Sequence, residues 1–235
     1  MKLDILGFGA HPDDVELSCS GTLLIEKQRG KKVGIIDLTE GELGTRGNVE
    51  TRRQEAEAST GIMGIDVREN LGLPDGFFRN DKETLLKVIE VIRKHQPDII
   101  ICNAIEDRHP DHGKAAGLIQ EASFLSGLLK VETKEHNVAW RPKHVFHYIQ
   151  DSYIEPHFIV DITPVFEKKM AAIKAYKTQF HNDEIEGPET YISRPGFLEF
   201  IVNRCKIFGK RIGVEYAEGF VTKKDIGIKT LDAMI

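Results

Sequence analysis

The sequence has few of the features that mark secreted or membrane proteins. Its 235 residues include only three cysteines, Cys19, Cys102 and Cys205, which form no CxxC pair and leave an odd count. Scattered cysteines of this kind are typical of small buried side chains in a reducing compartment, not of a disulfide framework. No apolar run approaches the ~18 residues that a membrane span needs, and the N-terminal residues show no signal-peptide pattern. We therefore expect a cytoplasmic protein with no membrane partner.

An excess of positive charge is also missing. Lys and Arg number 32 against 37 Asp and Glu, which gives a net charge of −5 and argues against a nucleic-acid partner. Hydrophobic residues make up 40% and charged residues 29%, as in an ordinary soluble protein. The chain is long enough for one large domain with its own core, and it contains no internal repeat, linker or low-complexity segment. We therefore predict a single domain over residues 1–235.

Apolar runs alternate along the chain with segments of helical periodicity. The runs typical of strands are Leu3–Leu6, Val33–Leu38, Val67–Leu71, Asp98–Cys102, Val145–Ile149, Phe158–Val160 and Val214–Val221. Periodicity and capping residues predict helices over Ser18–Arg29, Val49–Ile62, Asp81–His95, Lys114–Leu129, Pro164–Lys177 and Gly196–Phe208. This order of elements favours an α/β fold with a doubly wound, mostly parallel sheet flanked by helices.

The first motif with chemical potential is the stretch GFGAHPDD, which covers residues 7–14 directly after the first strand. Imidazole and carboxylate groups together bind borderline metals such as zinc, iron(II) or manganese. His11 and Asp14 are three residues apart, so one helical turn would place both on the same face. Asp13 would then point elsewhere and be free to handle protons. This stretch is the first half of a predicted metal site.

The second motif, HPDHG at residues 109–113, follows the strand that ends at Cys102. Open α/β sheets bind ligands at the carboxyl ends of their strands, so the two motifs could meet there. Helix capping is the alternative, since Asp13 or Asp14 could cap the first helix and Asp111 a later one. Capping explains one aspartate in each motif, but neither the paired aspartates nor the three histidines. The pattern therefore favours a metal site.

A dinucleotide site is a weaker alternative. Gly7 and Gly9 follow the first strand as in the nucleotide-binding fingerprint, but Pro12 stands where that fingerprint needs a third glycine. The two carboxylates of the same turn would also repel a pyrophosphate. An NAD-dependent oxidoreductase is therefore not favoured.

The two motifs together resemble those of the LmbE/PIG-L family of zinc-dependent N-deacetylases, and the resemblance covers nearly the whole chain. The segments GELGTRG at residues 41–47, TRRQEA at 51–56 and SRPG at 193–196 are similar to the bacillithiol-pathway branch, whose substrate is N-acetyl-glucosaminyl-malate. The resemblance implies a Rossmann-like fold and one Zn²⁺ per subunit, with Fe²⁺ or another divalent metal as alternatives. It also implies assembly as a homo-trimer or homo-hexamer.

The resemblance further assigns roles to individual residues. It implies that the metal ligands are His11, Asp14 and His112. Asp13 would be the general base, His109 would stabilise the oxyanion, preferably as a cation, and Asp111 could orient or charge His109. The residues that it places near the substrate are Arg52, Arg108 and Tyr191, although each arginine could instead form an ordinary solvated ion pair.

The expected activity is removal of the N-acetyl group from an N-acetylglucosamine conjugate, preferably the malate conjugate. We expect one or both of Arg52 and Arg108 to bind the malyl group. Tyr191 would close over the sugar from the long loop Phe180–Gly196, a segment typical of a functional lid or of disorder. The alternatives are a deacetylase of a chitooligosaccharide or an antibiotic precursor, and a non-catalytic module that binds a metal or a sugar.

Overall fold

A seven-stranded sheet organises the chain, in the order β3-β2-β1-β4-β5-β7-β6. A computed structural model describes residues 1–136, 138–181, 187–228 and 230–231. The strands are Ile5–Gly9 (β1), Val33–Thr39 (β2), Val67–Leu73 (β3), Ile99–Cys102 (β4), His144–Tyr148 (β5), Phe158–Asp161 (β6) and Ala217–Val221 (β7). The pairs from β3 through β5 are parallel, whereas β7 runs antiparallel to both β5 and β6. The predicted mostly parallel α/β sheet is confirmed.

Helices cover both faces of this sheet. They are Asp14–Gln28 (α1), Val49–Met63 (α2), Lys82–His95 (α3), Pro110–Leu125 (α4), Phe166–Lys174 (α5) and Phe197–Ile212 (α6), and a short 3₁₀ turn at Thr163–Val165 precedes α5. One apolar core joins the sheet to α1, α2, α5 and α6, and a second joins it to α3 and α4. Neighbouring strand residues alternate between the cores: Ile35 of β2 belongs to the first, whereas Ile36 belongs to the second. This two-sided burial explains the nearly continuous apolar runs, and it confirms the doubly wound arrangement. Within the described ranges, no helix is long and apolar enough to cross a bilayer.

The strand order brings the two motifs together. From β1 the sheet continues to β2 and β3 on one side and to β4 and β5 on the other. The order therefore reverses between β1 and β4, and a crevice opens at such a point beyond the carboxyl ends of the strands. The first motif follows β1 and the second follows β4, so both lie at this crevice.

Several element boundaries differ from the prediction. Helix α1 begins at Asp14, not Ser18, and α4 begins at Pro110, not Lys114. The ring nitrogen Nδ1 of His109 accepts the backbone N–H of Asp111 and caps α4, and proline is well suited to a first helical turn. Asp14 and residues 110–113 thus lie in the first turns of the two helices, whereas residues 11–13 form the turn before α1. Residues 182–186 of the predicted loop Phe180–Gly196 lie outside the described residues.

Candidate metal centre

A cavity of about 380 Å³ lies at the crevice, and residues of both motifs line it. Three imidazoles meet in its wall. The ring centroid of His11 is 4.7 Å from that of His109 and 5.7 Å from that of His112, and the His109 and His112 rings are 5.1 Å apart. One ring nitrogen from each lies within 4.8 Å of the others. The strand ends therefore bring together the histidines that the sequence analysis selected.

Asp14 lies between two of these histidines. Its carboxylate is 3.1 Å from Nε2 of His112 and 3.6 Å from Nδ1 of His11. Three N–H donors fix it at 3.0 Å each: the backbone of His11 and the side-chain amides of Asn103 and Gln150. Although burial opposes ionisation, His112 and His11 hold the pKa of Asp14 well below its usual value. Asp14 is thus an oriented carboxylate anion.

His112 is oriented by a second carboxylate. Its Nδ1 lies 2.5 Å from Asp107, which leaves Nε2 directed towards Asp14. Burial disfavours the imidazolium, but the carboxylates of Asp14 and Asp107 outweigh it and raise the pKa of His112 to about 9. A histidine whose outer nitrogen is held by a carboxylate is typical of metal sites.

His11 has further carboxylates on its other side. Its Nε2 lies 3.0 Å from Asp75 and 3.6 Å from Asp111. Burial opposes protonation of the ring, yet Asp111, Asp14 and Asp75 raise the pKa of His11 well above its usual value. His11 therefore belongs to two possible donor groups, one with His109 and His112 and another with Asp75 and Asp111.

These donors fit a divalent metal. Imidazole nitrogen and carboxylate oxygen are the ligands that zinc and iron(II) take in proteins, and the ring and carboxylate orientations are already fixed by neighbouring groups. The predicted ligands His11, Asp14 and His112 lie in contact with one another in this wall. Since Asp75 and Asp111 offer a second set around His11, the predicted triad stays a prediction.

Asp13 has an unusual backbone conformation and a buried side chain. It precedes α1 with φ at 120°, a conformation unusual for a residue other than glycine, and its side chain makes no capping hydrogen bond. Burial raises the pKa of Asp13 to about 7, against the opposing charge of Arg52. A carboxylate with this pKa is well matched to general base catalysis near neutral pH. The Asp13 side chain therefore does not cap α1, which was the alternative role for this residue.

Arg52, predicted to lie near the substrate, has its main contacts in the turn that carries Asp13. It lines the cavity, but its guanidinium lies 3.0 Å from the Asp13 carboxylate and donates to the carbonyl of Pro12 at 3.1 and 3.3 Å. A longer contact of 3.5 Å reaches the carbonyl of Gly41. The Arg52 side chain is buried, and these contacts hold the Asp13 carboxylate in place. Its position supports a role through Asp13, and its predicted contact with the substrate stays a prediction.

Asp111 and His109 also interact differently from the expectation. The backbone N–H of Asp111 donates to Nδ1 of His109 at 3.3 Å, whereas the Asp111 carboxylate accepts from Gly76 and Lys114. Burial, His11 and His112 together lower the pKa of His109. An imidazole that accepts at Nδ1 carries its proton on Nε2 when neutral. The lowered pKa favours the neutral ring with a donor at Nε2. The predicted role of His109 at the oxyanion, with Asp111 to orient or charge it, stays a prediction.

Arg108 and Tyr191 meet at the rim of the same cavity. The Tyr191 hydroxyl donates to Asp151 at 2.8 Å, and the Arg108 guanidinium lies 4.1 Å from the Tyr191 ring centroid. Nε of Arg108 is 3.4 Å from the other oxygen of Asp151. The two residues therefore form one patch around Asp151, and nearly half of the Arg108 side chain is exposed.

The sequence analysis missed several residues that hold the centre: Asp75, Asn103, Asp107 and Gln150. Asp75 was assigned only to a turn, although it follows β3. Asn103 and Gln150 follow β4 and β5, and this position at a strand end was the signal available for both. Their amide side chains gave no indication of metal chemistry.

Comparisons with known proteins identify similar sequences and a similar structure. Residues 6–123 match the family described as PIG-L, GlcNAc-PI de-N-acetylase. The diacetylchitobiose deacetylase of Thermococcus kodakarensis is 28% identical over 229 residues, which are 92% of this chain and 81% of that protein. The 4-oxalmesaconate hydratase of Pseudomonas putida is 29% identical over 187 residues, 73% of this chain and 72% of that protein. The crystal structure of a conserved protein from Thermus thermophilus superposes with a TM-score of 0.88 at 34% identity and covers 97% of this chain and 98% of its own.

Proposed function

Because the chain belongs to the PIG-L family of GlcNAc-PI de-N-acetylases, we propose that it is a metal-dependent hydrolase that removes the acetyl group from an N-acetylglucosamine conjugate. The observation that carries the proposal is the pairing of Asp13, a buried carboxylate with a pKa of about 7, with the adjacent His11, Asp14 and His112 cluster. Amide hydrolysis needs a base close to an activated water, and this arrangement provides one.

His11, Asp14 and His112 would hold the metal, with zinc as the first choice. A bound divalent metal supplies a Lewis acid and lowers the pKa of a water molecule towards ~7. Asp13 accepts the proton of the attacking water and returns it to the departing amine. Arg52 fixes the carboxylate of Asp13 for both transfers. His109 donates from Nε2 to the amide oxygen, on which negative charge develops.

The preferred substrate is N-acetyl-glucosaminyl-malate, in a cytoplasmic homo-oligomer of three or six subunits. The segments GELGTRG, TRRQEA and SRPG support this branch of the family through their resemblance alone. Malate carries two carboxylates, and a protein of net charge −5 must offer local cations to bind them. Arg108 and Tyr191 at the rim provide a half-exposed guanidinium and a phenol beside the cavity.

The test is acetate release by the zinc-loaded protein from a panel of compounds. The panel contains N-acetyl-glucosaminyl-malate, N-acetylglucosamine and N,N'-diacetylchitobiose, and we expect the highest kcat/KM for the malate conjugate. Higher activity on diacetylchitobiose would favour the chitooligosaccharide alternative, and sugar binding without acetate release would favour a non-catalytic module. Since a relative is a hydratase, hydration of 4-oxalmesaconate is measured in parallel. Hydration without acetate release would refute the proposal.

A further inference from the structure

Helix α6 lines a part of the cavity wall that differs in chemistry from the histidines and carboxylates of the metal centre. Here α1 supplies Leu17 and Ser18, and α6 supplies Phe197, Phe200, Ile201 and Arg204. The aromatic and aliphatic side chains make this part of the wall apolar. A half-buried charged group within it is less hydrated than one at the surface, which strengthens its interaction with a ligand charge.

Arg204 is the charged group of this wall. Its guanidinium donates to two backbone carbonyls, those of Gln150 and Leu17, and lies 5.7 Å from the Phe200 ring centroid. Across the described ranges, no carboxylate forms an ion pair with it. Burial lowers the pKa of Arg204, as expected for a cation without a matched anion. Because a guanidinium carries five N–H groups, the two carbonyls leave donors for a ligand.

Ser18 lines the same cavity and has a buried hydroxyl. The residue is only 4% exposed, and its Oγ has no hydrogen-bond partner among the described residues. Ser18 follows Asp14 by one helical turn, so both side chains are on one face of α1. Leu17, whose carbonyl accepts from Arg204, is its chain neighbour. A buried hydroxyl without a hydrogen-bond partner destabilises the folded protein. A ligand atom in the cavity would supply the missing hydrogen bond.

We propose that Arg204 and Ser18 form a carboxylate subsite for the acidic part of the substrate. This inference rests on the proposed function and deepens it. Arg204 contacts the carbonyl of Gln150 and Arg108 contacts the side chain of Asp151, so two guanidinium groups flank one short segment. Two cations on neighbouring parts of the wall suit a substrate with two carboxylates. The guanidinium of Arg52, in contrast, is already paired with Asp13.

The first test compares a charged and an uncharged substrate in the zinc-loaded enzyme. Charge-assisted hydrogen bonds predict that Arg204→Met lowers the ratio of kcat/KM for N-acetyl-glucosaminyl-malate to that for N-acetylglucosamine methyl glycoside by about ten- to a hundredfold. Arg204→Lys should recover part of the loss. Arg211→Met is the matched control, because Arg211 lies on the same helix and pairs with Glu155 at the surface. Its ratio should match that of wild type.

Equal losses on both substrates would show that Arg204 only supports the fold, and the subsite would be refuted while deacetylation stood. Absence of acetate release by wild type from every substrate would instead refute the proposed function. The carboxylate that binds Arg204 could come from the malyl group of the substrate or from the acetate product. Inhibition of the enzyme by L-malate and by acetate distinguishes the two. Weaker inhibition by malate in the Arg204 variant supports the subsite, whereas a change confined to acetate would assign Arg204 to the product and overturn the proposal.

Ser18→Ala gives a second, independent test that does not depend on the folding of the arginine variant. Removal of an unpartnered buried hydroxyl should leave the thermal midpoint unchanged or higher. The KM for the malate conjugate should nevertheless rise about two- to tenfold, the effect of one lost neutral hydrogen bond. A lower midpoint with no change in KM would show that the hydroxyl has a structural role only, which would remove Ser18 from the subsite.

Discussion

The Arg52 guanidinium and the Asp13 carboxylate form a buried ion pair of 3.0 Å. The pair joins the start of α2 to the turn after β1, and the carbonyl of Pro12 accepts from the same guanidinium. Since Asp13 is the proposed base, Arg52 controls both where the carboxylate points and how readily it ionises. We therefore propose that Arg52 acts through Asp13 as a positioning residue, while its contact with the substrate stays a prediction.

Arg52→Met should lower activity on charged and uncharged N-acetylglucosamine substrates by the same factor. Loss of the cation raises the pKa of Asp13, so the base stays protonated to higher pH. The acidic limb of the kcat/KM profile should therefore move upwards by about one to three pH units. Arg53→Met is the control, because Arg53 is exposed and pairs with Glu50. A loss seen only with the malate conjugate would return Arg52 to substrate binding.

Asp13→Asn should retain the metal and the fold but lower kcat by ~10²–10⁴-fold, the typical contribution of a general base. The amide is nearly isosteric and cannot accept the proton. Asparagine also tolerates a positive φ better than most residues, which limits any effect on the turn. Circular dichroism and metal analysis check the fold and the metal. A kcat within about threefold of wild type, far less than a base contributes, would place the base elsewhere.

The ligand set can be settled by metal analysis of single variants. His11→Ala, Asp14→Ala and His112→Ala should each lose stoichiometric zinc. Asp75→Asn is the informative control, because Asp75 belongs to the second donor group around His11 and should be dispensable for the metal. If the Asp75 variant loses zinc while the Asp14 variant keeps it, the metal belongs to the group of His11, Asp75 and Asp111.

Zinc binding should release protons at pH 7. The pKa of His112 is raised to about 9 and that of His11 is also raised, so we expect both rings to carry a proton at this pH when no metal is bound. A metal requires the neutral nitrogens, so binding expels up to two protons and the apparent affinity increases with pH until about 9. Calorimetric titration of chelator-treated protein in buffers of different ionisation enthalpy measures the number released. An enthalpy that is independent of the buffer would contradict this assignment of protons.

The strands and the two motifs could be predicted because their signals are local. Apolar runs of strand length, helical periodicity and strand-end histidines each depend on a few neighbouring residues. The contact between His11 and His112 follows from the additional rule that parallel strand ends share one edge of the sheet. The start of α1 was misplaced because Asp13 and Asp14 were assigned to a turn, whereas Asp14 is the first helical residue.

The residues that complete the centre could not be predicted because their partners depend on the strand order. Asp75 contacts His11, which is 64 positions away in the sequence, and Gln150 contacts Asp14, which is 136 positions away. No spacing rule connects such residues. For Arg52, the sequence indicated a cation near the site but not its partner, since the packing of α2 against the Pro12 turn decides where the guanidinium points.

The position of β7 has a consequence for how the protein folds during synthesis. β7 is the last strand in sequence but lies inside the sheet, between β5 and β6. Its pairing with β6 runs from Phe158 against Phe220 to Asp161 against Ala217, so β6 cannot form its ladder until residues 217–221 have left the ribosome. Contacts between distant parts of a chain also form slowly. The β1–β2 ladder pairs Ile5 with Val33, which are much closer in sequence than Phe158 and Phe220. Pulsed hydrogen exchange during refolding should therefore protect the amides of β1 and β2 before those of β6. Early protection of β6 would show that it first pairs with another segment.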